Sequence, residues 1–251
     1  MLGIIPVGLM SNYMMIFDAI SSLTNKVFNS ITASIGNLVV NESKEHSEQI
    51  FYNILFANFW FISLCTVCLF TCVQTFVGLW LGKDYVLSID VLIALCGCFY
   101  FSGMRRSALQ FRSALGLFWY DRYKPVVESI LNIVVSIVFI KLIGMAGVKF
   151  GTIVSTILTS FWIEGYILYK HYFDKSVKIY FAKQFLYFLL MIFECYFLYF
   201  LFGYLKFDSL LFELFVRGII SFFVVNLLYL LLFKNRKEFK YFTGLFIRKN
   251  K

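Results

Sequence analysis

The chain has 251 residues, of which 61% are hydrophobic, 21% aromatic and only 15% charged, with a mean hydropathy of +0.80. A soluble domain carries roughly 25% charged residues and must cover its surface with groups that water tolerates, so this composition excludes a water-soluble globule. The net charge of +9 is spread over short loops and the tail rather than gathered in one stripe, which argues against nucleic acid as a partner.

A membrane-spanning helix needs about 20 largely apolar residues at a rise of about 1.5 Å each. The first candidate, residues 10–40, is the ambiguous one. At about 100° per residue, Asp18, Ser22, Asn25, Asn29, Thr32 and Gly36 share a stripe with Lys26 beside it, while Ile16, Ile20, Leu23, Val27 and Ile31 occupy other sectors. A helix lying on the membrane surface would look similar. The stripe is mostly amides and hydroxyls, whereas interfacial helices are rich in Lys and Arg, so a spanning helix facing a wet cavity fits better.

Residues 50–80 read as one long helix, and residues 87–116 as a third, with Ser88 or Asp90 near its start. Pro125 opens a fourth over residues 125–144, a favoured first-turn position. The fifth covers residues 146–170, and two more follow at 180–204 and 210–233. The expectation is therefore an all-α, polytopic membrane bundle of about seven transmembrane helices. It divides into a five-helix bundle (1–173), two further spans (174–233) and a basic tail (234–251).

Cys65, Cys68 and Cys72 fall on one stripe of a helix, with no His or carboxylate nearby to complete a metal shell. They read as small packing residues. His46 and His171 sit at loop edges, and no phosphate-binding loop, metal motif or nucleophile elbow is present. The reading is a protein without cofactor or metal, and not an enzyme.

Loop charges set the orientation. With seven spans, one side holds Lys44, then Arg112, Arg122 and Lys124, then Lys170, Lys175, Lys178 and Lys183, and the tail adds seven more basic residues. The other side holds only Lys83, Lys141, Lys149 and Lys206. The positive-inside rule then places the C-terminus in the cytoplasm and, if residues 10–40 span, the N-terminus outside.

Several short stretches carry a resemblance: Val7-Gly8 with Ser11-Asn12-Tyr13, Ala33-Ser34-Ile35-Gly36-Asn37, and Gly78-Leu79-Trp80-Leu81-Gly82. Phe111 to Phe118, Tyr123 to Glu128 through Asn132, and Gly144, Gly147 and Gly151-Thr152 continue it. In this order they resemble the Wzx-like oligosaccharide flippases, members of the multidrug/oligosaccharidyl-lipid/polysaccharide exporter superfamily. The two last helices match by hydropathy only. The resemblance implies the C-terminal portion of a twelve-to-fourteen-helix exporter, starting just before that family's eighth helix. It also implies a bacterial inner-membrane location and a missing N-terminal half or a polysaccharide polymerase as a partner.

The task so implied is moving a polyprenyl-pyrophosphate-linked oligosaccharide between leaflets, among membrane lipids. Sugar and pyrophosphate must cross about 30 Å of hydrocarbon, which calls for a polar, cationic cavity. Asn25 and Asn29 offer amides to hydroxyls, and Lys26 a charge to phosphate. The alternative for this stripe is hydrogen bonding that glues helices together. Arg105 and Arg106 lie in the inner third of the bilayer. Either they reach to headgroups, or Arg105 and Arg112, seven residues apart, form one face for pyrophosphate, to which guanidinium binds through paired bonds. Asn132 is a deeper polar candidate, functional or packing. Lys124 and Glu128 fit an interfacial pair, and Thr152, Thr156 and Thr159 fit hydroxyls bonding back to their own helix. Glu194 and Arg217 are expected to form an interhelical ion pair, with Glu213 as the second candidate for Arg217. The competing expectations are a lipid II or drug exporter of the same superfamily, or a membrane-embedded polysaccharide polymerase or acyltransferase.

Overall fold

In hydrocarbon every backbone N–H and C=O must be satisfied within its own segment or a closed sheet, and a chain of long apolar runs meets this as helices. The structure, a computed structural model describing residues 4–249, is helical nearly throughout, with no strand among those residues. The elements are α1 (Ile4–Ser30), α2 (Thr32–Asn41), α3 (Lys44–Trp80), α4 (Ile89–Met104), α5 (Arg106–Ala114), α6 (Lys124–Ile143), α7 (Met145–Thr156), α8 (Trp162–Leu168), α9 (Lys178–Gly203), α10 (Leu210–Phe233) and α11 (Lys237–Lys249). Short 3₁₀ turns precede α4 and α6, and π-helical turns at Ile157–Phe161 and Tyr169–Phe173 flank α8. The first three residues and the last two of the expected tail lie outside the described residues.

Among the described residues, five segments are long and apolar enough to cross a bilayer: Lys44–Trp80, Leu117–Ile143, Met145–Phe173, Lys178–Gly203 and Leu210–Phe233. The other two expected spans fall outside this set. Residues 10–40 are not one helix: α1 stops at Ser30, whose Oγ donates to Val27 O at 2.7 Å and competes for a helical carbonyl. Residues 87–116 are likewise broken at Arg105, leaving α4 only 16 residues long. There the Asn58 amide, fully buried on α3, donates to Gly103 O at 3.0 Å and stands in for a helical donor the break removes.

The long helix α3 is the axis of the bundle. Ser63 meets Tyr229, Thr71 meets Ser221, and Thr75 meets Glu213, so α10 runs antiparallel along it. Ser63 also meets Glu194 and Phe70 meets Tyr199, so α9 runs parallel to it. Lys44 with Asp174, Lys175 with Glu48, and Lys183 with Glu238 gather three turns at one end, the end assigned by charge to the cytoplasm. Tyr13 OH accepts from Leu87 N at 3.1 Å near the other. Aromatic rings fill the core between α3 and α9, where Phe59 and Tyr187 stack at 4.0 Å.

The outward faces are apolar. Val126, Ile130, Ile133 and Ile137 on α6, and Phe215, Ile219, Phe223 and Leu227 on α10, are exposed. So extensive a patch would aggregate in water, and lipid is the solvent that suits it.

The helix α6 is held almost wholly by α7, through small residues. A Cβ at Gly151 would lie 2.7 Å from Ser136 Cα, and one at Gly147 would lie 2.6 Å from Ile140 N. Backbones approach this closely only where side chains are absent. Gly144, at φ +62° and ψ −135°, adopts a positive-φ conformation that a side chain would strain, and this ends α6 and reverses the chain into α7.

The expected tail begins as a helix. Burial pushes the Glu238 carboxyl up, but the hydrogen bond from Lys183 Nζ at 2.5 Å, its own backbone N–H and nearby cations leave it below the ordinary carboxylate range. A depressed folded value stabilises docking above the unfolded value, about 4.3, and that contribution disappears as pH falls through the folded one. Protection of the α11 amides, taken relative to intrinsic exchange at the same pH because intrinsic exchange itself slows in acid, is therefore expected to fall in acid and in Lys183→Ala. Protection identical at neutral and acid pH would contradict this latch.

Candidate functional site

The charges of α5, α6 and α8 meet at the end of the bundle that also holds Lys44 and Lys175. Arg105 grips Glu164 with two bonds, Nε to Oε2 at 3.1 Å and Nη2 to Oε1 at 2.6 Å. Arg105 Nη1 also lies 3.6 Å from Glu128 Oε1. Lys124 Nζ donates to Glu164 Oε1 at 2.5 Å and lies 3.0 Å from Asp121 Oδ2. Asp121 in turn accepts from Arg112. The result is an alternating chain: Glu128, Arg105, Glu164, Lys124, Asp121, Arg112. Three cations meet three carboxylates, so the chain sums to zero charge. Glu164, Asp121 and Lys124 are all buried, which is tolerable only because each has an opposite charge in contact.

Local structure brings these groups together. Thr156, Ser160 and Glu164 lie at four-residue spacing, which would drift around an α-helix. The wider π turn at Ile157–Phe161 counters that drift, and such turns are often found at functional sites. Thr156 Oγ1 donates to Glu128 Oε1 at 3.0 Å, and Ser160 Oγ donates to Glu128 Oε2. Beyond the chain, Arg122 covers the exposed Trp119 ring at 3.8 Å, an amphipathic pair of the sort that sits at a headgroup boundary.

This geometry corrects several expectations. Arg105 and Arg112 do not form an open face for phosphate, because each guanidinium already holds a carboxylate. Lys124 and Glu128 do not pair with each other. Asn132 is a packing amide: its Nδ2 donates to Thr152 Oγ1 at 3.3 Å and its Oδ1 accepts from Ser136 at 3.1 Å, both within the α6–α7 hairpin. Thr152 and Thr159 do bond back to their own helix, to Val148 O and Ser155 O, whereas Thr156 reaches Glu128.

The expected pair of Glu194 with Arg217 is also replaced. Arg217 Nε lies 2.8 Å from Glu213 Oε1, one turn away, though its N–H is not aimed squarely at that oxygen. Glu194 instead accepts from Ser63 and Tyr229. The antiparallel register explains this. Tyr229, which meets Glu194, lies twelve residues beyond Arg217 on α10, about 18 Å along a helix axis.

The polar stripe of α1 faces outward. Tyr13, Phe17, Thr24 and Phe28 are buried against the bundle, while Asp18, Ser22, Asn25, Lys26 and Asn29 are exposed on the opposite side. Beside α1 stands a cation that the sequence reading passed over in favour of its neighbour. Arg106 Nη2 reaches Ser21 O at 3.5 Å, the outer limit of a hydrogen bond, and its Nη1 is buried with no partner. Among the described residues no carboxylate lies within ion-pair distance of it. Adjacent residues on a helix point about 100° apart, so Arg106 reaches toward α1 while Arg105 reaches toward Glu164 of α8.

No family model, curated protein or solved structure matches the chain.

Proposed function

We propose that this chain is a seven-pass inner-membrane translocator of a polyprenyl-pyrophosphate-linked oligosaccharide, acting as one bundle of a larger exporter, with its C-terminus in the cytoplasm. The observation that carries the reading is the outward polar face of α1 beside the unpaired Arg106. Amides, hydroxyls and Lys26 form one wall suited to sugar hydroxyls, and Arg106 keeps guanidinium donors for phosphate oxygens. A polar wall facing away from its own bundle is costly against lipid, so a second wall, from a partner half, closes the wet space. An apolar groove of about 540 Å³ between α4, α7 and α9, lined by Ile93, Phe101, Phe150, Ile153, Phe188 and Ile192, suits a hydrocarbon chain. The ion chain through Arg105, Glu164 and Lys124 is the brace that fixes α5 so that Arg106 points toward α1.

The test is leaflet-to-leaflet transfer of a fluorescent polyprenyl-pyrophosphate glycan in liposomes, run with the chain alone and with its partner half. Removing a charged hydrogen bond to phosphate costs roughly 1.5–3 kcal/mol, so Arg106→Ala is expected to lower transfer about tenfold or more. Lys26→Ala is expected to lower it less, because Lys26 is more exposed. Wild-type transfer in both variants, with normal folding, would remove the case for this wall.

A further inference from the structure

Glu194 stands in the middle of α9, packed between α3 and α10, and only 1% of it is exposed. The titratable groups around it are Tyr229 from α10, Tyr100 from α4, and Cys195 on its own helix, with Cys68 of α3 facing Cys195. No cation is among them. Arg217, the nearest basic residue on α10, belongs to Glu213. An ionised carboxylate in such a place lacks the opposite charge that makes burial tolerable.

The hydrogen bonds are lopsided. Oε2 lies 3.2 Å from Ser63 Oγ and 3.0 Å from Tyr229 OH, and those two hydroxyls are 2.7 Å apart. Oε1 is buried and has no partner, and the buried Tyr100 hydroxyl has none either. A carboxylate shares its charge over two oxygens and would draw donors to both. A carboxylic acid has one hydroxyl oxygen, whose hydrogen needs an acceptor, and one carbonyl oxygen, which can stand without a donor at less cost. The pattern here is that of the acid with its hydrogen on Oε2: three contacts join Oε2, Ser63 Oγ and Tyr229 OH, the two hydroxyls bring one hydrogen each, and the carboxyl hydrogen supplies the third.

We propose that Glu194 is a proton-binding site, with the exchangeable proton on Oε2. Ser63 and Tyr229 lie within hydrogen-bond distance of Oε2 and hold the anion when the proton leaves. Polar groups mark the proton's route along the α3–α10 seam. Thr71 and Ser221 hydroxyls lie 2.9 Å apart, Arg217 donates to Thr71 O at 3.2 Å, and Thr75 donates to Glu213 at 3.3 Å. Between that ladder and Glu194 lie Val67 and Val225, each fully buried, an apolar break that keeps the site from free exchange with water. The inference concerns the acid itself and holds whether or not the cargo is a lipid-linked glycan.

The experiment is infrared spectroscopy of the full chain in lipid nanodiscs over a pH titration, comparing wild type with Glu194→Gln. The expected result is a protonated-carboxyl C=O band that shifts in deuterated water, vanishes as pH rises, and is missing from Glu194→Gln. Tyr229→Phe removes one hydrogen-bond partner of the carboxyl and is expected to raise the band's frequency, which provides the reading if the glutamine variant does not fold. Spectra in which wild type and Glu194→Gln show the same carboxyl bands at every pH would overturn the proposal. So would a band that stays constant across the titration, or thermal stabilisation by sodium ions in wild type alone, which would make Glu194 a metal-cation ligand instead.

Discussion

Glu164→Ala is expected to cost about 3–5 kcal/mol of folding stability, the usual consequence of stripping one partner from a buried charge network. Glu164 is the carboxylate that Arg105 and Lys124 share, and their side chains are 17% and 6% exposed. Its loss leaves Lys124 with Asp121 alone, already shared with Arg112, and Arg105 with a 3.6 Å contact to Glu128. Thermal unfolding in detergent should show the loss directly. Glu164→Gln retains an acceptor and is expected to fall between wild type and alanine. The double change Glu164→Leu with Lys124→Leu should cost less than the two single changes added together, because the members of a network do not contribute independently. A Glu164→Ala chain within about 0.5 kcal/mol of wild type, the range of an ordinary surface change, would mean the chain of charges is incidental.

Gly151→Leu is expected to detach α6. Even a methyl group there meets Ser136 backbone atoms, which cannot rotate away as a side-chain tip could. Overpacking a core costs about 1–3 kcal/mol, and here the helices must separate along their whole contact. The apolar face of α6 gains nothing from the rest of the bundle, since its most apolar stretch is uncovered within the chain. Because Lys124 and Glu128 sit on α6, the variant should disturb the ion chain as well. Gly151→Ala is expected to show a smaller form of the same defect. Gly8→Leu, which has open space at its Cβ position, serves as the control and should unfold like wild type. Equal unfolding temperatures for Gly151→Leu and Gly8→Leu would refute the close-packed hairpin.

The apolar rods were legible because hydropathy over about 20 residues is a one-dimensional property. The last span, expected at residues 210–233, is observed at Leu210–Phe233. The breaks at Ile31 and Arg105 were not, because their causes are local competition by Ser30 and a donor from Asn58, some 45 residues away. The same limit governed the charges. Arg217 with Glu213 is a one-turn pair and was within reach of the sequence as a second choice. Asp121 and Glu164 could not be matched to Arg112, Arg105 and Lys124 without knowing how α5, α6 and α8 meet. Spacing placed Arg105 and Arg112 on one face, but it could not show the carboxylates from other elements that hold them. The stripe on α1 was legible as a stripe, but its direction depended on Tyr13, Phe17 and Phe28 claiming the inner side.

A rod of 37 residues is about 55 Å long, nearly twice the thickness of the hydrocarbon layer. Clamped by Ser63, Tyr229 and Glu194 near its midpoint, α3 has the proportions of a beam on a fulcrum. Tilting it by about 5° would swing each tip by about 2 Å, in opposite directions. The tip at Lys44 and Glu48 is tied to the turn before α9, and the Thr75 end is tied to the start of α10. A displacement on one side of the membrane is thus mirrored, with its sign reversed, on the other.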